Sequence, residues 1–438
     1  MVKLAAIADD LTGANDTALQ FAKRQMRASV QLDLAKDPPG GSEVIVIDSD
    51  SRDLDVREAY QKVRRISEAV KKYGAECIYK KIDSTLRGNW GAEVQAVADT
   101  FNPDLVIIAP AYPVNKRITV GGYHLLNGTL LELTEIGHAP KTPVKESYIP
   151  DILREQVPGA SCAILDFTVM RQGVEAVHDA IEEFQLADRR WVICDIVEEQ
   201  NFLTLMDALR EYDKEKILWV GSAGLADYMA YFYGWQGESY PSWPSRHGSV
   251  LVCAGSVSHV TQTQIRTLCQ QMDITRLKLD VEAVLSDADR INAYGEQIQA
   301  AMAAGHDVLL TAAEDDADVR RAVHAGRRYQ LSGKEVSEKI ANIMASIVSR
   351  LDFSGMAGMV LTGGDTAVHI CRALGVDHIE ILQEVDPGVP LGYLCGTNVE
   401  PVFVVTKAGA FGRPDTFVKS LAMIKAMPEN QQSNLQEA

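Results

Sequence analysis

The chain has 438 residues, 46% hydrophobic and 24% charged, with 60 acidic side chains against 43 Lys and Arg, a formal net charge of −17 and 7 cysteines. That much apolar material supports large cores, and at about 150 residues per domain the length suggests two or three domains. Disordered, fibrous and disulfide-stapled proteins are excluded, and the acidic excess argues against a nucleic-acid partner, which needs clustered cations to neutralise phosphates.

The N-terminal run reaches Asp9 and Asp10 before it is long enough for a signal-peptide core. No stretch approaches the roughly 18 apolar residues of a membrane span. The cysteines are scattered and form no Cys-x-x-Cys pair. A cytoplasmic protein with reduced thiols and no membrane partner is therefore expected.

Short apolar runs then alternate with longer segments of helical period, the pattern of an α/β protein with mainly parallel strands. Strands are predicted at 3–8, 43–48, 76–80, 105–109, 163–166, 191–195 and 217–220, then at 250–254, 307–311, 359–362 and 402–406. Helices such as 56–72, 172–184 and 335–350 fill the gaps. The stretch 237–248, with Pro241, Pro244, three serines and glycine, breaks the alternation and reads as a linker. The expected organisation is an N-terminal domain over 1–240, a linker over 241–248, a C-terminal domain over 249–426 and a frayed tail over 427–438. Each domain is expected to hold a mainly parallel sheet flanked by helices.

The first strand runs into Asp9-Asp10-Leu11-Thr12-Gly13-Ala14-Asn15-Asp16. Ligands of doubly wound sheets bind outside the carboxyl ends of strands, so carboxylates there face a crevice. By strand alternation Asp9 and Asp10 are expected to face opposite sides and divide roles; alternatively Asp10 or Thr12 merely caps the helix. The loop Lys80-Lys81-Ile82-Asp83-Ser84-Thr85-Leu86-Arg87 concentrates cations in an acidic chain and suits a carboxylate or phosphate ligand. A capping serine or threonine beside solvated lysines is the structural alternative. Arg52 adds another cation at a strand end, and Asn115, Lys116 and Arg117 follow a further one, so these loops could converge on a small hydroxylated anion.

In the second half, Gly255-Ser256-Val257-Ser258 and Thr362-Gly363-Gly364-Asp365-Thr366 each follow a strand, the latter with a helix expected from about Ala367. Two more glycine loops are read at Gly388–Gly392 and Lys407–Gly412. Glycines let backbone N–H groups approach a phosphate at a helix N-terminus. The P-loop and Gly-x-Gly dinucleotide fingerprints are absent, which disfavours a dehydrogenase. His124, His259 and His369 read as packing or hydrogen-bonding residues.

The runs Ile7–Asp16 and Lys81–Gly88, followed in order by the four glycine loops, resemble the four-carbon acid sugar kinase family over nearly the whole chain. Leu11 stands where that family often has Phe, which removes no functional group. The resemblance implies ATP-dependent phosphorylation of D-threonate, D-erythronate or 3-oxo-tetronate at the terminal hydroxyl. Asn15-Asp16-Thr17 is closer to the threonate and erythronate kinases. Asp10, Arg52, Lys81, Asp83, Ser84 and Thr85 would hold the small-molecule acid sugar. Ser256, Ser258, Thr362, Gly363, Gly364, Asp365, Thr366, Lys407 and Gly409 would bind ATP. Mg²⁺ would bridge phosphate oxygens, its protein ligands unassigned. Asp10 is the first candidate for the base that accepts the C4 hydroxyl proton and Asp83 the second, with Lys81 or Arg87 neutralising the sugar carboxylate or the migrating phosphoryl group. A homodimer is the expected assembly; a non-catalytic sugar-acid sensor is the competing class.

Overall fold

The computed structural model describes residues 1–139, 141–237, 246–286, 289–396 and 400–427, so most of the expected linker and tail lies outside the described residues. The chain divides into two compact units, Met1–Glu238 and Ser239–Ala438.

The first unit contains β1 (Leu4–Ala8), α1 (Leu11–Ala22), β2 (Ala28–Gln31), β3 (Val44–Asp48), α2 (Val56–Val70), β4 (Cys77–Lys81), α3 (Trp90–Phe101), β5 (Leu105–Ala109) and a small antiparallel sheet of β6 (Arg117–Val120), β7 (Tyr123–Leu126) and β8 (Thr129–Leu130). It continues with α4 (Ile149–Gln156), β9 (Cys162–Leu165), α5 (Phe167–Met170), α6 (Val174–Leu186), β10 (Trp191–Cys194), α7 (Glu199–Ala208), β11 (Ile217–Gly221) and α8 (Ala223–Tyr233). Its main strands lie in the order β2-β3-β1-β4-β11-β5-β10-β9, and every neighbouring pair is parallel. Strands covered on both faces read as continuous apolar runs, and β1, β5 and β11 are buried throughout. α2 starts on the Asp55 cap and buries Ala59, Val63, Ile66 and Val70 at helical spacing against a core that includes Ile47, Trp90 and Ile108. From β1 the chain leaves toward β2, whereas from β4 it leaves toward β5. Their carboxyl ends therefore open a crevice where the winding reverses.

The second unit holds β12 (Ser249–Ala254), α9 (His259–Gln271), β13 (Ile274–Lys278), α10 (Val281–Ser286), α11 (Asp289–Ala303), β14 (Asp307–Thr311), α12 (Asp316–Arg328), α13 (Gly333–Val348), β15 (Met356–Thr362), α14 (Gly364–Leu374), β16 (His378–Asp386), β17 (Val389–Cys395), β18 (Phe403–Lys407) and α15 (Thr416–Ala426). Strands β13-β14-β12-β15-β18 are parallel neighbours, and β17 and β16 follow antiparallel. Val252, Val360, Phe403, Phe417 and Leu421 form its core. Among the described residues no helix is long and apolar enough to cross a membrane.

The α/β architecture and the mainly parallel sheets are as expected. The small sheet β6–β8, the hairpin β16–β17, and β2 and β13 are strands beyond those expected. β2 is a four-residue strand with buried Ser29 and Gln31, and β13 interrupts Ile274 and Leu277 with Thr275, Arg276 and Lys278, so neither has an unbroken apolar run. Gly388–Gly392 is not a loop after a parallel strand. Pro387-Gly388 turns the β16–β17 hairpin, and Gly392 lies inside β17, where a Cβ would meet the Glu380 carbonyl oxygen at 2.6 Å.

Candidate functional site

In the first unit Asp10 caps α1, its Oδ1 accepting the Gly13 N–H at 2.9 Å. Arg52, in the loop after β3, donates Nε and Nη2 to Asp9 at 2.6 and 3.0 Å and Nη1 and Nη2 to Asp10 at 2.7 Å each. The two aspartates lie beyond the end of β1, so alternation no longer separates them and one guanidinium spans both; the expected division onto opposite faces is not found. Burial opposes the Asp9 charge, but Arg52, with Lys81 and Lys80 farther off, outweighs it and holds the carboxyl below its usual range. Asp10 keeps a side-chain exposure of 25%, against 3% for Asp9 and 10% for Asp83. Of these three carboxylates it is the one open to a ligand.

Lys80 is no ligand cation. Fully buried, its Nζ lies 2.7 Å from Glu93 Oε2 of α3 and donates to the carbonyls of Ile7 and Lys81. Burial pushes the Glu93 carboxyl up against the pull of Lys80. Lys81 reaches the carboxyl edge, with Nζ on the Ile82 carbonyl at 2.8 Å. A Cβ on Gly13 would lie 2.7 Å from both Lys81 Nζ and Asp10 Oδ1, so only glycine lets the two meet there.

Asp83 accepts Arg87 Nε at 2.8 Å and Nη2 at 2.9 Å, together with the Thr85 hydroxyl and, at 3.2 Å, the Thr85 N–H; Arg52 Nη2 lies 3.6 Å away. Burial alone would raise its pKa, but Arg87, Arg52 and these hydrogen bonds hold the carboxyl well below the usual range. Such a saturated carboxylate anchors cations rather than taking protons. The Ser84 carbonyl faces His124 Nε2 at 2.9 Å, and His124 Nδ1 meets the Thr119 hydroxyl at 2.9 Å. Burial lowers the His124 pKa to about 4, so at neutral pH the ring is uncharged, in keeping with its reading as a hydrogen-bonding residue.

The second unit gathers its glycine loops at the carboxyl ends of β12, β15 and β18. Lys407, 1% exposed, directs Nζ to the Thr362 hydroxyl at 3.0 Å, the Gly409 carbonyl at 3.3 Å and the Thr261 hydroxyl at 3.4 Å. Among the described residues it forms no ion pair, and burial lowers its pKa to about 7. Ser258 caps α9 on the Thr261 N–H and donates to the Gly409 carbonyl at 2.6 Å. A Cβ on Gly409 would lie 2.1 Å from Ser256 Oγ, and one on Gly255 would lie 1.9 Å from Thr366 Oγ1, so the loops close on one another. Gly363 takes φ +101°, and α14 begins at Gly364, earlier than expected, with no side-chain cap. The first N–H groups of such a helix have no intrahelical acceptor, and the dipole there favours an anion.

A cavity of about 700 Å³ adjoins the ends of β13 and β14, lined by Lys278, Asp280, Asp318, Arg320, Arg321 and His324 among others. The structure thus groups the expected first-unit residues around Arg52 and Asp83 and the expected second-unit residues around Lys407. Sequence reasoning missed Glu93, Thr261, Gln264 and Asp386. Gln264 Nε2 holds the carbonyls of Phe411 and Arg413, and Asp386 accepts the Arg413 N–H at 2.8 Å and the Thr416 hydroxyl at 2.6 Å, which fixes the loop after Lys407. Only Thr261 had a local signal, its three-residue spacing from the cap Ser258.

Residues 4–229 match a family model described as a sugar-binding N-terminal domain, and residues 251–417 match one described as a nucleotide-binding C-terminal domain. The chain is 32% identical over 436 residues to a D-threonate kinase of Salmonella typhimurium, covering 97% of this chain and 99% of the relative. It is 29% identical over 426 residues to a D-erythronate kinase of Heliobacterium modesticaldum, covering 95% of each. To a 3-oxo-tetronate kinase of Brucella melitensis it is 28% identical over 438 residues, covering 96% of this chain and 95% of the relative. Full-length matches of this kind, together with both domain matches, place the chain in the four-carbon acid sugar kinase family.

Proposed function

We propose that this enzyme transfers the γ-phosphoryl group of ATP to the C4 hydroxyl of D-threonate or D-erythronate, giving the 4-phosphate. The observation that carries the reading is Lys407, a buried lysine with no carboxylate partner among the described residues, set among glycine loops and helix N-termini that an anionic phosphate chain would complete. Ser256, Ser258, Thr362, Gly363, Gly364, Thr366 and Gly409 shape that cradle. The cavity at the ends of β13 and β14 shares no lining residue with that cradle but opens on the same carboxyl edge of the sheet, and at about 700 Å³ it has room for a nucleoside. Asp365 and the hydroxyls of Ser256 and Thr366 are oxygen donors, which suit a hard divalent ion. Mg²⁺ held there with the phosphates would neutralise their charge during transfer.

In the first unit Asp10 accepts the C4 hydroxyl proton, while Arg52 fixes its carboxylate in place. Asp83 positions Arg52 and Arg87, and is therefore no longer the second candidate base. Lys81, beside Asp10 across Gly13, faces the migrating phosphoryl group; Ser84 and Thr85 line the acid-sugar side. Asn15-Asp16-Thr17 supports threonate or erythronate over the 3-oxo acid. Seven free cysteines and ATP as donor support a cytoplasmic setting.

The test is ADP release by the purified protein with ATP and Mg²⁺, offering D-threonate, D-erythronate, 3-oxo-tetronate and the L-acids separately. Rapid turnover of D-threonate or D-erythronate is expected. Turnover of 3-oxo-tetronate alone would overturn the substrate assignment, and none across the panel, with ATP binding intact, would overturn both substrate and reaction.

A further inference from the structure

Resting on the acid-sugar reading of the first unit, the small antiparallel sheet supplies a cation that the site still lacks. Arg52 commits Nε, Nη1 and Nη2 to Asp9 and Asp10, and Arg87 commits Nε and Nη2 to Asp83. These guanidiniums are largely neutralised before any ligand arrives.

Arg117 differs. It opens β6, two residues before Thr119, and side chains at that spacing share one face of a strand. That face also carries His124, which pairs with Thr119 across β6–β7, and Leu126, which pairs with Arg117; Thr119, His124 and Leu126 are all buried. Through His124 the face is bonded to the Ser84 carbonyl in the loop that holds Asp83 and Arg87. Arg117 therefore lies about 7 Å along the strand from the Thr119 anchor, on the side that meets this loop. Its Nη1 donates to the Asn115 carbonyl at 2.7 Å. Its Nε is buried with no hydrogen-bond partner, and the residue forms no ion pair among the described residues. Burial disfavours the charge, Asp83 supports it and Arg87 opposes it, which agrees with a place beside that pair. Burying Nε without an acceptor is costly, and Nη2, which has no acceptor among the described residues and is not shut off from solvent, is the N–H group that an incoming carboxylate would reach.

We propose that Arg117 binds the carboxylate of the acid sugar and so lets the site distinguish a four-carbon acid from the uncharged polyol of the same length. It is a substrate-binding residue outside the motifs after β1, β3 and β4. The opposite end of the substrate then points its terminal hydroxyl toward Asp10.

The experiment compares Arg117→Gln and Arg117→Lys with the unaltered enzyme, reading KM and kcat for the acid, KM for ATP and the inhibition constant of the matching polyol. The expected result for Arg117→Gln is an acid KM raised about 10- to 100-fold, with kcat within a few fold and the ATP and polyol constants unchanged. Arg117→Lys keeps the charge and serves if the Gln variant does not fold; it is expected to raise the acid KM about tenfold, because a lysine offers no guanidinium fork. An unchanged acid KM, or equal weakening of acid and polyol, would overturn the assignment. If the unaltered enzyme turns over none of the acids, the proposed function itself fails, and that shows before any variant is made.

Discussion

The two edges that would bind the two ligands are built on opposite electrostatic plans. At the carboxyl edge of β1, β3 and β4, Arg52 and Arg87 are clamped by Asp9, Asp10 and Asp83, so the charges there largely neutralise one another. At the edge of β12, β15 and β18, Lys407 sits among carbonyls and hydroxyls with no counter-charge among the described residues. The first edge stabilises the fold while it waits for substrate. The second is stored electrostatic cost that an anionic ligand relieves.

Removing the reacting group should separate chemistry from this scaffolding most sharply. Asp10→Asn keeps the helix cap and one partner for Arg52, so the protein should fold, while turnover should fall about 10²- to 10⁴-fold with acid KM little changed. Steady-state kinetics beside a thermal melt reads both, and near-normal turnover would remove Asp10 as the base.

Arg52→Met strikes the self-neutralised edge directly. It leaves Asp9 buried without its main partner and should cost about 3–5 kcal/mol in urea unfolding at neutral pH. The sign with pH follows from the depressed carboxyls of Asp9 and Asp83. Their stabilisation is fully present above the ordinary carboxylate range and is lost as pH falls through their lowered values, so the penalty of Arg52→Met should shrink in acid. A penalty independent of pH would mean that Arg52 acts through packing alone.

Lys407→Met should do the reverse. Because burial lowers the Lys407 pKa to about 7, the unfolded chain holds more protons than the folded one between about pH 7 and the ordinary lysine value, and stability should rise with pH across that window. The Met variant should flatten this rise, gain about 1–4 kcal/mol near pH 7 and bind ATP more weakly. Loss of stability instead would show that Lys407 is already satisfied by its neutral neighbours.

Much of this was legible in the sequence because strand ends carry their chemistry locally. Asp9-Asp10, Lys81–Arg87 and Thr362–Thr366 each follow an apolar run, and the winding of an α/β sheet brings such loops to one edge. What stayed hidden depends on distant pairings. Nothing near Lys80 shows that Glu93 will meet it in the core, which turned an apparent ligand cation into a structural one. Likewise Gly388–Gly392 contains glycine and proline as a phosphate loop might, and only the pairing of β17 with β16 makes it a hairpin turn and a strand. Arg117 was visible as a cation after β5, but its facing depends on the β6–β7 register.

The most direct measurement of two separate, differently built half-sites is calorimetric titration of ATP and of the acid sugar into Gly13→Ala and Gly409→Ala. Each added methyl would press on the ends of nearby side chains, Asp10 and Lys81 in one case and Ser256 in the other, so the backbone should be preserved. Gly13→Ala is expected to weaken acid-sugar binding and spare ATP, and Gly409→Ala is expected to do the opposite. Loss of both ligands in one folded variant, or of the wrong ligand in either, would contradict that assignment.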